Sequence, residues 1–268
     1  MNIRHKARQI KLLDFKSTPM RAFHMTWLAF FLCFFGWFGL APLMPVIRSE
    51  LHLTKEQVGN TVIASVAITI LVRLLVGWLC DRMGPRRTYT WLLILGSLPV
   101  MGVGLAHDYA SFLMFRLAIG AIGASFVITQ YHTSVMFAPN IVGTANATAA
   151  GWGNLGGGVT QMAMPLLFGV FMRFGFGSWW SWRLAMMVAG AALLAAGIAY
   201  YSLTKDTPDG DFAALRARGA MEHSSRAAGA FAEAGRDPRV WALALLYGAS
   251  FGVELTIDNI AALYFADY

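Results

Sequence analysis

Seven stretches of this sequence are long and apolar enough to cross a lipid bilayer, and no other feature narrows the choice of fold so far. They lie at about 24–47, 58–80, 88–106, 111–133, 144–171, 184–203 and 240–266. A span needs roughly 20 apolar residues. Inside hydrocarbon the backbone must satisfy its own hydrogen bonds, so each stretch reads as a helix. The chain is 57% hydrophobic and 13% charged, with a mean hydropathy of +0.55, outside the range of water-soluble domains. From Leu117 to Met172 there is no Asp, Glu, Lys or Arg, and only Pro139-Asn140 marks the turn between the fourth and fifth helices.

The basic residues orient the spans. Arg4, Lys6, Arg8, Lys11, Lys16 and Arg21 precede the first helix, and Arg82, Arg86 and Arg87 follow the second. Lys205, Arg216, Arg218, Arg226, Arg236 and Arg239 lie between the sixth and seventh. These fifteen of twenty-one cations fall on one side, against Arg48, Lys55, Arg173 and Arg183 on the other. The positive-inside rule therefore predicts a cytoplasmic N-terminus in a cell-membrane protein, and the net charge of +7 needs no nucleic acid to explain it. Four regions follow: a cytoplasmic tail at 1–23, a six-helix bundle at 24–204, a polar linker at 205–239 with a short surface helix around Phe212–Ala220, and a seventh helix at 240–268. Transporters commonly pair two six-helix halves, so a lone seventh helix predicts a chain truncated ahead of a second half. Cys33 and Cys80 fall in or at the end of spans and imply no disulfide framework. The N-terminus lacks the short apolar core and cleavage site of a signal peptide.

The fifth span carries Ala150-Gly151-Trp152-Gly153-Asn154-Leu155-Gly156-Gly157-Gly158, with five glycines around one amide. Glycines in a membrane helix let another backbone or a small ligand approach closely. Asn154, flanked by Gly151 and Gly153, would then donate to an anion, or alternatively pack helices beside Gly153 and Gly157. Arg73 sits within an otherwise apolar run of the second helix, about seven residues or roughly 10 Å from its predicted end. A charge at that depth costs about 2.5–3.5 kcal/mol on insertion scales, so it must face a cavity or a partner. Its planar fork of donors suits two-point contact with a small planar oxyanion, the alternative being a structural pair or a snorkelling side chain. Tyr247, Phe251, Glu254 and Asp258 share one face of the seventh helix. Arg116, Glu254 and Asp258 are the remaining ionisable groups inside the spans and the candidates for proton coupling. His132 reads as a satisfied bundle residue. No metal cluster, no nucleophile with a base and no phosphate loop is present, so neither an enzyme nor a cofactor is expected.

Gly77-Trp78-Leu79-Cys80-Asp81-Arg82-Met83-Gly84-Pro85-Arg86-Arg87 fits G-x-x-x-D-R-x-G-x-R-R, in which Asp81 pairs across a helix end and Arg82, Arg86 and Arg87 anchor the face. This loop resembles the signature of the major facilitator superfamily, and Arg116-Leu117-Ala118-Ile119-Gly120 resembles its R-x-x-x-G element. Within that superfamily, the glycine-asparagine run and Ser250-Phe251-Gly252-Val253-Glu254-Leu255-Thr256 resemble the nitrate/nitrite porter family. That resemblance implies a twelve-helix secondary transporter for nitrate or nitrite, working by proton symport or anion exchange. It places Arg73 at the substrate-binding arginine and matches Tyr247, Phe251, Phe126 and Phe34 to pathway aromatics. It further implies a second arginine on an eighth helix, so that this chain would require the missing half to transport. The competing readings are a porter for another small anion, such as an organic carboxylate, and a membrane sensor that binds an anion without moving it.

Overall fold

A computed structural model describes residue 3, residues 5–219 and residues 233–267; Arg4, Ala220 and Arg226 lie outside the described residues. The described chain is nearly all helical: α1 (Thr18–Phe38), α2 (Met44–Glu50), α3 (Lys55–Met83), α4 (Pro85–Gly102), α5 (Tyr109–Gly120), α6 (Ser125–Met136), α7 (Val142–Arg173), α8 (Gly177–Leu203), α9 (Phe212–Ala217) and α10 (Pro238–Asp267). Seven spans result, with α5 and α6 joined by a 3₁₀ stretch into one of them. α4 packs along α8 and α1 along α7, with α3 against α5. Phe30, Phe34, Trp37, Tyr89, Phe112 and Trp182 fill the shared core.

The first predicted span is corrected. It breaks at Gly39–Leu43, and Met44–Glu50 is a separate short helix with Pro45 in its first turn. Pro42 and Pro45 remove two backbone donors there, which stops the longer helix. The sixth span begins at Gly177 rather than 184, so Arg183 is a buried helical residue and not a loop charge. It pairs with Glu50 at 2.6 Å and donates to the Gly104 carbonyl at 2.7 Å, which removes the reason to end the helix before it. The second span runs to Met83, so Arg73 lies ten residues from the end, about 15 Å and deeper than the hydropathy boundary implies. The 3₁₀ stretch Ala121–Ala124 coincides with close helix contact. A Cβ on Gly120 would strike the Ser65 carbonyl, and one on Gly123 would lie 2.7 Å from Trp37.

The linker turns back onto the α3–α4 loop. Gly84, at φ +92°, leaves room only for the Asp206 carboxylate against it. Asp206 accepts from the Arg86 and Phe212 backbone N–H groups, both at 2.9 Å, and so caps α4 and α9 together. Arg216 donates to the Asp81 and Arg82 carbonyls at 2.8 and 2.6 Å, closing the end of α3. Arg86 pairs with Asp211 at 2.7 Å, and Asp81 accepts from Tyr131 at 3.0 Å, a cross-helix link. Arg87 and Arg82 stay exposed, Arg82 over the Trp78 ring, and Gly77 has open space beside it.

Burial pushes the Asp206 carboxyl up from 3.8 to about 6, with the neighbouring Asp211 adding to the rise. Folded protein therefore holds a proton there more tightly than unfolded protein does. That contribution is full below the unfolded pKa and is lost as pH rises through about 6. Thermal unfolding in detergent is expected to show a falling midpoint between pH 5 and 7, flattened in Asp206→Asn. Asp206→Ala, which leaves two backbone donors unpaired, should cost about 1–3 kcal/mol at either pH. A pH slope identical in parent and Asp206→Asn would show that the slope belongs to another group.

Candidate functional site

The first half of α10 stands clear of the bundle, and its buried residues are Phe251 and Asn259. Where α10 meets the bundle, the structure gathers most of the residues singled out above. The Arg73 guanidinium lies 5.9 Å from the centre of the Phe251 ring. Phe251 stacks on Tyr247 at 5.2 Å, and Tyr247 on Phe126 at 5.9 Å. Phe34 approaches Phe251 at 6.3 Å, and Phe30 links Phe34 to Phe126 at 4.4 and 5.6 Å. Helices α1, α3, α6 and α10 thus contribute to one aromatic box with a single cation at its edge. Phe30 has no marker among the apolar residues around it in sequence; the glycine at 153 is its only trace.

Arg73 is half-buried, and its Nε has no hydrogen-bond partner. A buried donor left unpaired is costly, so a fork held this way is ready for an acceptor that the chain itself does not provide. Aromatic edges are positively polarised and their faces negatively, so the box can hold the cation on one face and meet a delocalised anion edge-on. Asn154 likewise carries an unpartnered buried Oδ1. Two convergent polar groups in an apolar setting are the usual make-up of a small-ligand site.

The glycine run divides by helical face. A Cβ on Gly153 would strike the Phe30 ring, and one on Gly156 the Phe31 carbonyl of α1. Thr160, one turn on, donates to the Phe35 carbonyl at 3.0 Å. Gly157 lies against the Asp258 carboxylate, where a Cβ would sit 2.9 Å from Oδ2. The face between Gly157 and Gly158 looks toward α10, where Gln161 donates to the Asp258 carbonyl at 2.8 Å. Gly151 departs from expectation. It is exposed with nothing within 4 Å of a built Cβ, because it falls on the side of α7 away from α1.

Arg116 is buried at 1% exposure. Its Nη2 donates to Asn259 at 3.2 Å, while Nε and Nη1 have no partner. Glu254 and Asp258 are half-buried between the aromatic box and this contact. Among the described residues neither makes a salt bridge with Arg116. His132 is buried, with Nδ1 2.6 Å from the Tyr200 hydroxyl and Nε2 2.8 Å from the Lys205 carbonyl. Asn259, Gln161 and Phe30 are the contact residues that sequence reasoning missed. No group of three metal-ligating side chains occurs among the described residues.

Comparison with known proteins bears on the same region. The sequence is 40% identical over 264 residues to high affinity nitrate transporter 2.5 of Arabidopsis thaliana, covering 98% of this chain and 52% of that protein. It is 39% identical over 262 residues to high-affinity nitrate transporter 2.3 of Oryza sativa subsp. japonica, covering 98% and 51%. To the nitrate/nitrite transporter NrtP of Nostoc punctiforme it is 38% identical over 200 residues, covering 75% and 40%. The chain thus spans about half the length of these curated relatives. Its fold matches a crystal structure of a bacterial homologue of the human lysosomal transporter Spinster with a TM-score of 0.71 at 19% identity, over 93% of this chain and 56% of that one. Seven bilayer-length helices make it an integral multi-pass membrane protein, and its relatives are named as transporters, not enzymes. With a match to that superfamily running from residue 26 to residue 267, the chain belongs to the Major Facilitator Superfamily.

Proposed function

We propose that this chain forms the substrate-binding first half of a nitrate or nitrite transporter of the cell membrane, working by alternating access. The observation that carries the reading is the unpartnered Nε of Arg73 beside Phe251 and Tyr247, supported by relatives that are themselves named nitrate transporters. Arg73 would take the planar anion in two-point contact, and the aromatic box of Phe34, Phe126, Tyr247 and Phe251 would strip its water. Asn154 would donate its amide, with Gly153 bringing α7 close enough to do so. The tail at 1–23, bundle at 24–204, linker at 205–239 and seventh helix at 240–268 are the working units of this proposal. The α9 end, which holds most of the basic residues, would face the cytoplasm.

Rocking of two six-helix halves about a central site would carry the anion across. A cation from the second half, facing Arg73, would complete the charge balance. Glu254 and Asp258 would serve proton symport, and anion exchange is the competing mode. Displacement of isotope-labelled nitrate from the purified full-length protein tests substrate class. Nitrate and nitrite should compete at similar concentrations, and acetate or formate at least ~10-fold more weakly, because a carboxylate lacks the third oxygen for Asn154. Equal competition by carboxylates would overturn the assignment in favour of a broader anion porter.

A further inference from the structure

α10 is attached along only half its length. Its last turn is clamped by Asp267, which pairs with Arg48 at 3.1 Å and Lys55 at 2.9 Å on the α2 end of the bundle. Two turns back, Asn259 accepts from buried Arg116 through Oδ1, while its Nδ2 donates to the Leu255 carbonyl at 2.9 Å. That internal bond fixes which amide atom meets the guanidinium. From residue 241 to residue 250, by contrast, every residue of α10 is exposed. Asn259 lies eight residues beyond Phe251, about 12 Å along the helix toward the α2 end. The Arg116 contact therefore sits across the route from the aromatic box to that end, with Glu254 and Asp258 between them.

We infer that Asn259 is a positioning residue that closes the pathway at the α2 end by holding Arg116, and that releasing this tie opens that end. Three observations converge on the role. Arg116 is buried at 1% exposure and, among the described residues, hydrogen-bonds only to Asn259, so separation of α5 from α10 must break that bond. The partner is a neutral amide, which holds a guanidinium with a charge-assisted bond yet lets go more readily than a buried carboxylate would. A carboxylate is available one residue away in Asp258, turned instead toward Gly157. Rotation of α10 by about one residue, roughly 100°, would exchange the amide for that carboxylate. The sequence thus places a releasable ligand and a tight one side by side.

The consequence for transport rests on the function proposed above, but the geometry is tested without any anion. The full-length protein, with the buried native Cys33 and Cys80 replaced by alanine, would carry Gly252→Cys, where a side chain meets nothing within 4 Å. Its reaction with a membrane-impermeant thiol reagent, added from the side of the α2 end, reports opening there. Asn259→Ala should label about tenfold faster or more, the shift that loss of one hydrogen bond to a charged group permits. Asn259→Asp should label more slowly than the parent, because a carboxylate locks the closure, and Asn259→Gln should stay within about threefold of it. If Asn259→Ala does not reach the membrane, Asn259→Asp alone decides. Labelling of Asn259→Ala or Asn259→Asp at the parental rate overturns the inference and leaves the nitrate assignment standing. Altered labelling without nitrate binding would sustain the closure and overturn the assignment instead.

Discussion

Arg73→Lys in the full-length protein is expected to weaken nitrate and nitrite binding by about 10- to 100-fold although the positive charge is kept. An ammonium is a compact point charge with tetrahedral donors, whereas the site presents a planar fork beside the Phe251 ring. Loss of one charge-assisted hydrogen bond is worth about 1.5–3 kcal/mol, which sets that range. Arg73→Ala should remove measurable binding altogether, since the aromatic box then has no cation to balance the anion. Equilibrium displacement of labelled nitrate reads both variants. Near-parental affinity in Arg73→Lys would mean that the guanidinium serves helix packing, and the box would need another source of positive charge.

The second large effect is expected at Gly156. Its α carbon faces the Phe31 carbonyl so closely that a Cβ cannot be accommodated without parting α1 from α7. Gly156→Ala should cost about 1–3 kcal/mol of stability from overpacking, and Gly156→Leu should abolish transport even where protein persists in the membrane. Gly153→Leu should behave alike, because its added side chain would displace the Phe30 ring from the aromatic box. Gly151 and Gly158, which have open space beside them, serve as internal controls and should tolerate alanine. The comparison separates contact from composition. If Gly151→Ala and Gly156→Ala lowered transport equally, the glycines would matter for helix flexibility and not for close approach.

The spans were legible in the sequence because lipid leaves the backbone only one solution, so hydropathy alone locates them. Their ends were not, and each miss has a chemical cause. Arg183 looks like a loop residue until Glu50, from a distant helix, neutralises it. Pro42 and Pro45 sit inside an apolar run that hydropathy cannot divide. Arg73 was legible as a site residue because an unexplained charge in an apolar helix demands a partner. Phe30 was not, since one phenylalanine among many carries no local mark. Asn259 was overlooked beside Asp258 because its meaning comes wholly from Arg116, 143 residues away. Asp206 was likewise hidden: its two donors, at Arg86 and Phe212, come together only when the linker folds back.

The most direct test of the central claim is counterflow of isotope-labelled nitrate in proteoliposomes carrying the full-length protein and preloaded with unlabelled nitrate or nitrite. Labelled nitrate should accumulate transiently and saturably. Preloading with acetate should support at least ~10-fold less accumulation. Arg73→Lys should lower the apparent affinity by the same 10- to 100-fold factor seen in binding. Tight, Arg73-dependent binding with no counterflow would contradict transport and point to an anion sensor. Saturable counterflow untouched by Arg73→Lys would contradict the proposed site.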